Sequence, residues 1–207
     1  MPSRPHRIGL TGNIGSGKST ASGIFSSLGV PVFNADDVGH ELLTTDKLIM
    51  NRIARLFGSR VITAGALDRK KIASIIFTDP DKKKTLEKIL HPQIMRRIDA
   101  RIRDTSDVTY VVVEAALIYE AHLAESFDYV ILVTADKDIS IERASKKLAI
   151  NRKQALARLN AQMAQAEKEK VADFVISNNG SIDELKTKVG FVHSILSAIC
   201  HGRPAVD

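Results

Sequence analysis

Apolar and polar positions along this chain change their period several times, and each change marks an element. Residues 6–10 are short and mostly apolar before a glycine-rich turn, the pattern of a first strand. A helical period takes over at Lys18, setting Ala21, Ile24, Phe25 and Leu28 on one face, with Gly29 as its stop. Residues 30–33 predict a second strand. The middle of the chain is mostly helical. There Asp79-Pro80 reads as an N-cap followed by proline at the first helical position. The helix it opens carries Leu86, Ile89, Leu90, Ile94, Ile98 and Ile102, and Pro92 is expected to kink or divide it. Residues 108–113 and 129–133 are continuous β-branched runs, as strands covered on both faces require. A weaker strand is expected at 173–176. The last helix opens at Ser181 with Glu184, the spacing of a capping box, and buries Leu185, Val189, Val192, Leu196 and Ile199.

Strands alternating with helices predict a doubly wound α/β fold with a five-stranded parallel sheet. Its core is expected from residues 6–34, 107–136 and 172–202. The helical stretch at about 35–106 is too long for a simple crossover and is expected to form a cap at the sheet's carboxyl edge, where ligands bind in this architecture. A second helical excursion, at about 138–170, is a candidate lid. The whole is read as one unit, 1–207.

Composition changes this picture little. The 207 residues are 44% hydrophobic and 26% charged, ordinary for a globular protein. Trp is absent, which disfavours an aromatic platform for single-stranded nucleic acid. The single cysteine, Cys200, lies in an apolar helical run, so it reads as a buried thiol in a reducing compartment. The first residues hold no apolar stretch long enough for a signal peptide, and none elsewhere spans a bilayer; a cytoplasmic protein is expected. The net charge of +6 suits nucleic acid, an anionic surface, a polyphosphate or simply a lysine-rich surface.

The sharpest chemistry lies at residues 12–19, Gly-Asn-Ile-Gly-Ser-Gly-Lys-Ser, which matches G-x-x-x-x-G-K-S without a gap. It follows a strand and opens a helix, the context the motif requires. Glycines let the backbone curl until its N–H groups face a phosphate, and the helix adds its positive end. Asn13, Ile14, Gly15, Ser16, Gly17, Lys18, Ser19 and Thr20 are therefore the expected nucleotide-phosphate-binding residues, read as an ATP site. Lys18 would reach the β- and γ-phosphates, and the Ser19 hydroxyl would ligate Mg²⁺.

Such loops serve kinases, GTPases and motors alike. No N-K-x-D guanine motif and no L-S-G-G-Q transporter signature is present, and Glu114 is followed by Ala115-Ala116 where motors place consecutive acids. These features and the short length favour a kinase of small molecules in a three-layer P-loop kinase fold. A kinase acting on an alcohol needs a carboxylate for the hydroxyl proton, and Asp36, after the second strand, has the position; capping the next helix is its other reading. Arg143, Lys146, Lys147, Arg152, Lys153 and Arg158 lie between residues 143 and 158 with no acid among them, as a lid closing over phosphates needs. A solvated helical face would normally mix both signs.

From about Ile8 to Leu185 the chain resembles the dephospho-CoA kinase family. The resemblance rests on the loop, Ala35-Asp36, Gly65-Ala66-Leu67-Asp68-Arg69, Phe77-Thr78-Asp79-Pro80 and Ile89-Leu90-His91-Pro92. Later landmarks are Leu117-Ile118-Tyr119-Glu120, Arg158 with Gln162, Glu167-Lys168, Ala172-Asp173 and Asn178. It implies transfer of the ATP γ-phosphoryl to the ribose 3′-hydroxyl of dephospho-CoA, giving CoA and ADP, with Mg²⁺ and a cap that holds the CoA-like substrate. It also implies that Asp36 and Lys18 are catalytic, that Thr11, Asp36, Arg69, His91 and Glu120 contact substrate, and that Arg143, Lys147 and Arg158 act from the lid. A surface ion pair for Arg69 and a helix-breaking pair for His91-Pro92 are the plainer readings. The protein is read as a monomer or weak homo-oligomer with ATP and dephospho-CoA as partners and no membrane. Another small-molecule kinase is the nearest alternative; for a nucleic-acid-binding ATPase no recognised motif is present.

The chain departs from the family pattern at several points. Asn34 stands where the family usually has Asp, Asn13 replaces a Gly, Glu114 an Asp, Ala116 a Pro and Ser140 a Gln, and Lys147 replaces a lid Arg. Asn34 cannot serve as a base, which concentrates that role on Asp36. Lys147 keeps the charge without a bidentate fork, so phosphate contacts there are expected to weaken or to move to Arg143.

Overall fold

The computed structural model describes residues 4–63, 65–105 and 108–201; the expected boundaries at 106, 107 and 202 lie outside the described residues. The chain opens with β1 (His6–Thr11), α1 (Lys18–Ser27) and β2 (Val32–Asn34). Then come α2 (Ala35–Thr45), α3 (Lys47–Phe57), β3 (Ile62–Thr63), β4 (Ala66–Leu67), α4 (Arg69–Thr78) and α5 (Pro80–Arg103). It continues with β5 (Tyr110–Glu114), β6 (Tyr129–Thr134), α6 (Lys137–Leu148) and α7 (Arg152–Asn160), and ends with α8 (Gln165–Glu169), β7 (Phe174–Ser177) and α9 (Ile182–Cys200). Two compact units divide it, Ala35–Asp104 and the remainder.

In the larger unit five parallel strands run in the order β2-β5-β1-β6-β7. The register sets Leu10 and Asn34 level with Glu114 at the carboxyl edge. Every residue of β5 is buried, which explains its unbroken Val111-Val112-Val113 run: both faces are covered, so no position can be polar toward water. One face packs Ile8, Leu10, Val112, Ile131 and Val133 against Phe25 of α1 and Leu185, Val189 and Leu196 of α9. On the other, Gly9 lies so close to Ile118 and the Phe127 ring that a Cβ there would stand 2.8 Å and 3.1 Å from them. Cys200 is a free, buried thiol in the α9 core, and burial pushes its pKa up to about 11.

The unit Ala35–Asp104 is helical except for the antiparallel β3-β4 pair. Aspartate caps three of its helices. Asp46 accepts from Leu48 and Ile49, Asp68 from Lys70 and Lys71, and Asp79 from Lys82, each through backbone N–H. The Lys71 N–H in particular holds the Asp68 carboxyl below the usual carboxylate range. Of the two expected effects of Pro92, a kink or a division, the division does not occur: α5 runs as one helix through it for 24 residues. Proline removes one hydrogen bond, but buried Leu86 anchors the helix before it and Ile98 and Ile102 after it, so packing overrides the local defect. This unit carries fifteen Lys and Arg against ten Asp and Glu, so five of the chain's six net charges fall within it.

Among the described residues no helix is long and apolar enough to cross a membrane. Phe25 is fully buried between α1 and the sheet, so Phe25→Ala should cost about 3–5 kcal/mol of stability in denaturant unfolding. A loss below about 1 kcal/mol would contradict the packing described.

Candidate active site

The loop between β1 and α1 has a shape that side chains would obstruct. Gly15 has φ 76° and Gly17 has φ 96°, the left-handed region that glycine enters without a Cβ penalty. Both are pressed from outside: a Cβ on Gly15 would stand 2.0 Å from the Ser140 carbonyl oxygen, and one on Gly17 2.1 Å from Asn178 Nδ2. That amide in turn donates to the Ser16 carbonyl at 2.8 Å. Gly17 occupies the N-cap of α1 without a side-chain cap, so the helix start presents backbone donors and a positive dipole end to an anion. Lys18 folds over the loop, its Nζ donating to the carbonyls of Gly12 at 2.6 Å and Asn13 at 3.3 Å. Ser19 and Thr20 are exposed at the start of α1, while Asn13 and Ser16 are buried.

Lys147 Nζ donates to Ser19 Oγ at 3.1 Å, so this lysine reaches the start of α1 at the phosphate loop. Arg143 instead donates to the Asn178 carbonyl at 2.8 Å, supporting the residue that holds Ser16. Arg158 is exposed and makes no hydrogen bond or ion pair among the described residues. The acid-free run read from 143 to 158 is less one-sided in space. Lys146 pairs with Glu142 at 2.6 Å and Arg152 with Asp138, acids that lie just before the run.

Two carboxylates of this unit lie in different surroundings. Glu114 is buried at the end of β5, and its Oε2 accepts from Ser22 Oγ on α1 at 2.7 Å; the same hydroxyl lies 3.2 Å from the Ser19 carbonyl. Glu120 follows β5 in a turn. Its Oε1 accepts the Met163 N–H at 3.0 Å and lies 2.7 Å from Nζ of fully buried Lys168. Thr11 is fully buried and its hydroxyl is directed at the Ala116 carbonyl, 3.4 Å away. Among the described residues no three His, Cys, Asp or Glu side chains cluster to hold a metal. The oxygen donors near the loop, the Ser19 hydroxyl and the Glu114 carboxylate, are few and hard. They fit Mg²⁺ shared with nucleotide phosphates rather than a metal caged by protein.

Within the helical unit Asp36 lies exposed in the first turn of α2. His40 follows one turn later and accepts from the Arg69 guanidinium, which brings Arg69 to the α2 face that carries Asp36. His91 is half-buried in mid-α5; desolvation holds its pKa below 6.5, opposed by the charge of Glu87. Lys168, Ser22 and His40 were not legible as site residues: a lysine, a serine and a histidine on short or amphipathic helices carry no signal of the partner that waits across the fold.

The loop's glycines generate a contrast that thermal unfolding and nucleotide titration can check. Gly15→Ala should destabilise by about 1–2 kcal/mol and weaken nucleotide binding, because φ and the Ser140 carbonyl both oppose a Cβ. Gly23→Ala, in the exposed middle of α1 with no atom within 4 Å of the new Cβ, should stabilise by up to about 1 kcal/mol. Equal effects would remove the close approach from the explanation.

The sequence profile of the dephospho-CoA kinase family matches residues 6–184. A dephospho-CoA kinase of Oceanobacillus iheyensis is 38% identical over 185 residues, 88% of this chain and 93% of that protein. A solved structure from Thermus thermophilus superposes with a TM-score of 0.83 at 32% identity, covering 93% of this chain and 98% of that one. For the dephospho-CoA kinase of Campylobacter jejuni the TM-score is 0.68 at 29% identity, over 93% and 97%. A match that begins in β1, takes in the phosphate loop and the whole helical unit, and ends in the first turn of α9 makes this chain a member of the dephospho-CoA kinase family.

Proposed function

We propose that the chain transfers the γ-phosphoryl group of ATP to the ribose 3′-hydroxyl of dephospho-CoA, giving CoA and ADP. The observation that carries this reading is the family match over residues 6–184, because it includes the helical unit as well as the phosphate loop that many kinases share. In the reaction the 3′-oxygen forms a bond to the γ-phosphorus while the bond to the β–γ bridging oxygen breaks, its electron pair remaining on ADP. The hydroxyl proton passes to the Asp36 carboxylate. Lys18, whose Nζ lies over the loop at the carbonyls of Gly12 and Asn13, steadies the charge that builds on the leaving group, together with the loop N–H groups. Lys147, already at Ser19, extends the same positive surface.

Mg²⁺ would be held by Ser19, with Glu114 behind it, and when bound supplies charge neutralisation for the β- and γ-phosphates. The net positive helical unit suits an acceptor that carries a diphosphate, and Arg69 and His91 are its candidate contacts. Cytoplasmic residence and a monomeric or weakly associating chain complete the reading.

ADP release with Mg²⁺-ATP, with and without dephospho-CoA, tests the reaction directly, with CoA identified by mass spectrometry. Matched CoA and ADP are expected; ADP formed only with other alcohols would overturn the substrate and keep the kinase. Asp36→Asn should lower kcat by roughly a hundredfold or more while nucleotide affinity stays within about threefold. An unchanged kcat would remove Asp36 from the chemistry.

A further inference from the structure

The turn between α7 and α8 is bound to the phosphate loop at two points. Ile14 N–H donates to Gln162 Oε1 at 2.7 Å, and Asn13 Nδ2 donates to the Met163 carbonyl at 3.1 Å. Ile14 also packs its side chain into the apolar cluster formed by Ile141, Ala144 and Ala155 of α6 and α7. The Met163 peptide is held on its other side as well, since its N–H donates to Glu120 Oε1 at 3.0 Å. Glu120 is itself fixed by Lys168, whose Nζ lies 2.7 Å from the same oxygen and whose side chain is wholly buried. An ammonium group so placed loses its water and is retained only by a close counter-charge.

We propose that Glu120 and Lys168 are a positioning pair that sets the shape of the phosphate loop through the Gln162–Met163 turn. The pair fixes the Met163 peptide plane, which aims its carbonyl at Asn13 and carries Gln162 to the Ile14 N–H. One loop amide is thereby turned away from the phosphate side and the next residues are directed toward it. Glu120 then acts on the nucleotide through the loop rather than by touching the acceptor. Asn13 gives this chain a tie that a glycine there does not make. The inference rests on the reading of this loop as the ATP site.

Calorimetric titration of Mg²⁺-ATP and Mg²⁺-ADP into the full chain, with thermal unfolding alongside, tests it without any turnover. Absence of CoA formation would sink the proposed reaction and leave this measurement standing. Gln162→Ala and Asn13→Gly each remove one tie at the loop and should weaken nucleotide by roughly five- to tenfold, with little change in Tm. Lys168→Met should weaken it at least as much and lower Tm; if that variant fails to fold, the two loop ties carry the test. Unchanged nucleotide affinity in both Gln162→Ala and Asn13→Gly would overturn the proposal. So would a Lys168→Met protein that loses only Tm. Where turnover is measurable, Glu120→Gln should leave the KM for dephospho-CoA unchanged and raise that for ATP; the reverse split would place Glu120 at the acceptor and overturn the positioning role.

Discussion

A surface that grips phosphate with peptide N–H groups must leave out the side chains that ordinarily hold a turn in place. Gly12, Gly15 and Gly17 satisfy that constraint, and in doing so they remove the loop's own means of staying rigid. The neighbouring segments supply what is missing. Ser140 at the start of α6 presses on Gly15, Asn178 after β7 holds Ser16, and the turn before α8 holds Asn13 and Ile14. The strand order makes this possible, since β1 lies at the centre of the sheet with β6 beside it and β7 next to β6. Segments distant in sequence then emerge around one point.

The same arrangement separates two carboxylates that sequence alone would treat alike. Glu114 ends a fully buried strand and its longer side chain finds the Ser22 hydroxyl on α1, one turn beyond Ser19. Glu120 is matched instead with an ammonium group that has no exposed surface. The first carboxylate meets a neutral hydroxyl beside the loop, whereas the second faces an ammonium group. One suits a cation-rich site and the other suits a joint.

Much of this was legible in advance. Continuous β-branched runs gave strands at β5 and β6, Asp79-Pro80 gave the start of α5, and the loop motif placed itself between a strand and a helix. Pro92 does not divide α5, because a local rule about one lost hydrogen bond says nothing of Leu86, Ile98 and Ile102 anchoring both sides. The acid-free run from 143 to 158 stops one residue short of Glu142, so the sequence window did not show the acids that pair with Lys146 and Arg152. A complete capping box occurs at Asn151 and Gln154, and the Ser181 hydroxyl accepts from the Glu184 N–H as its spacing suggests. Burial of Lys168 could not be read at all, because it depends on where Glu120 sits, with β6, α6 and α7 between the two residues.

One thiol among 207 residues has a use beyond packing. Cys200 ends α9 within the apolar core, and its sulfur resists ionisation there. A thiol reagent therefore meets it only when α9 leaves the sheet, so the rate of labelling is a clock for that opening. Because α9 and α1 cover the same face, the clock measures how long the helix that begins at the phosphate loop keeps its floor.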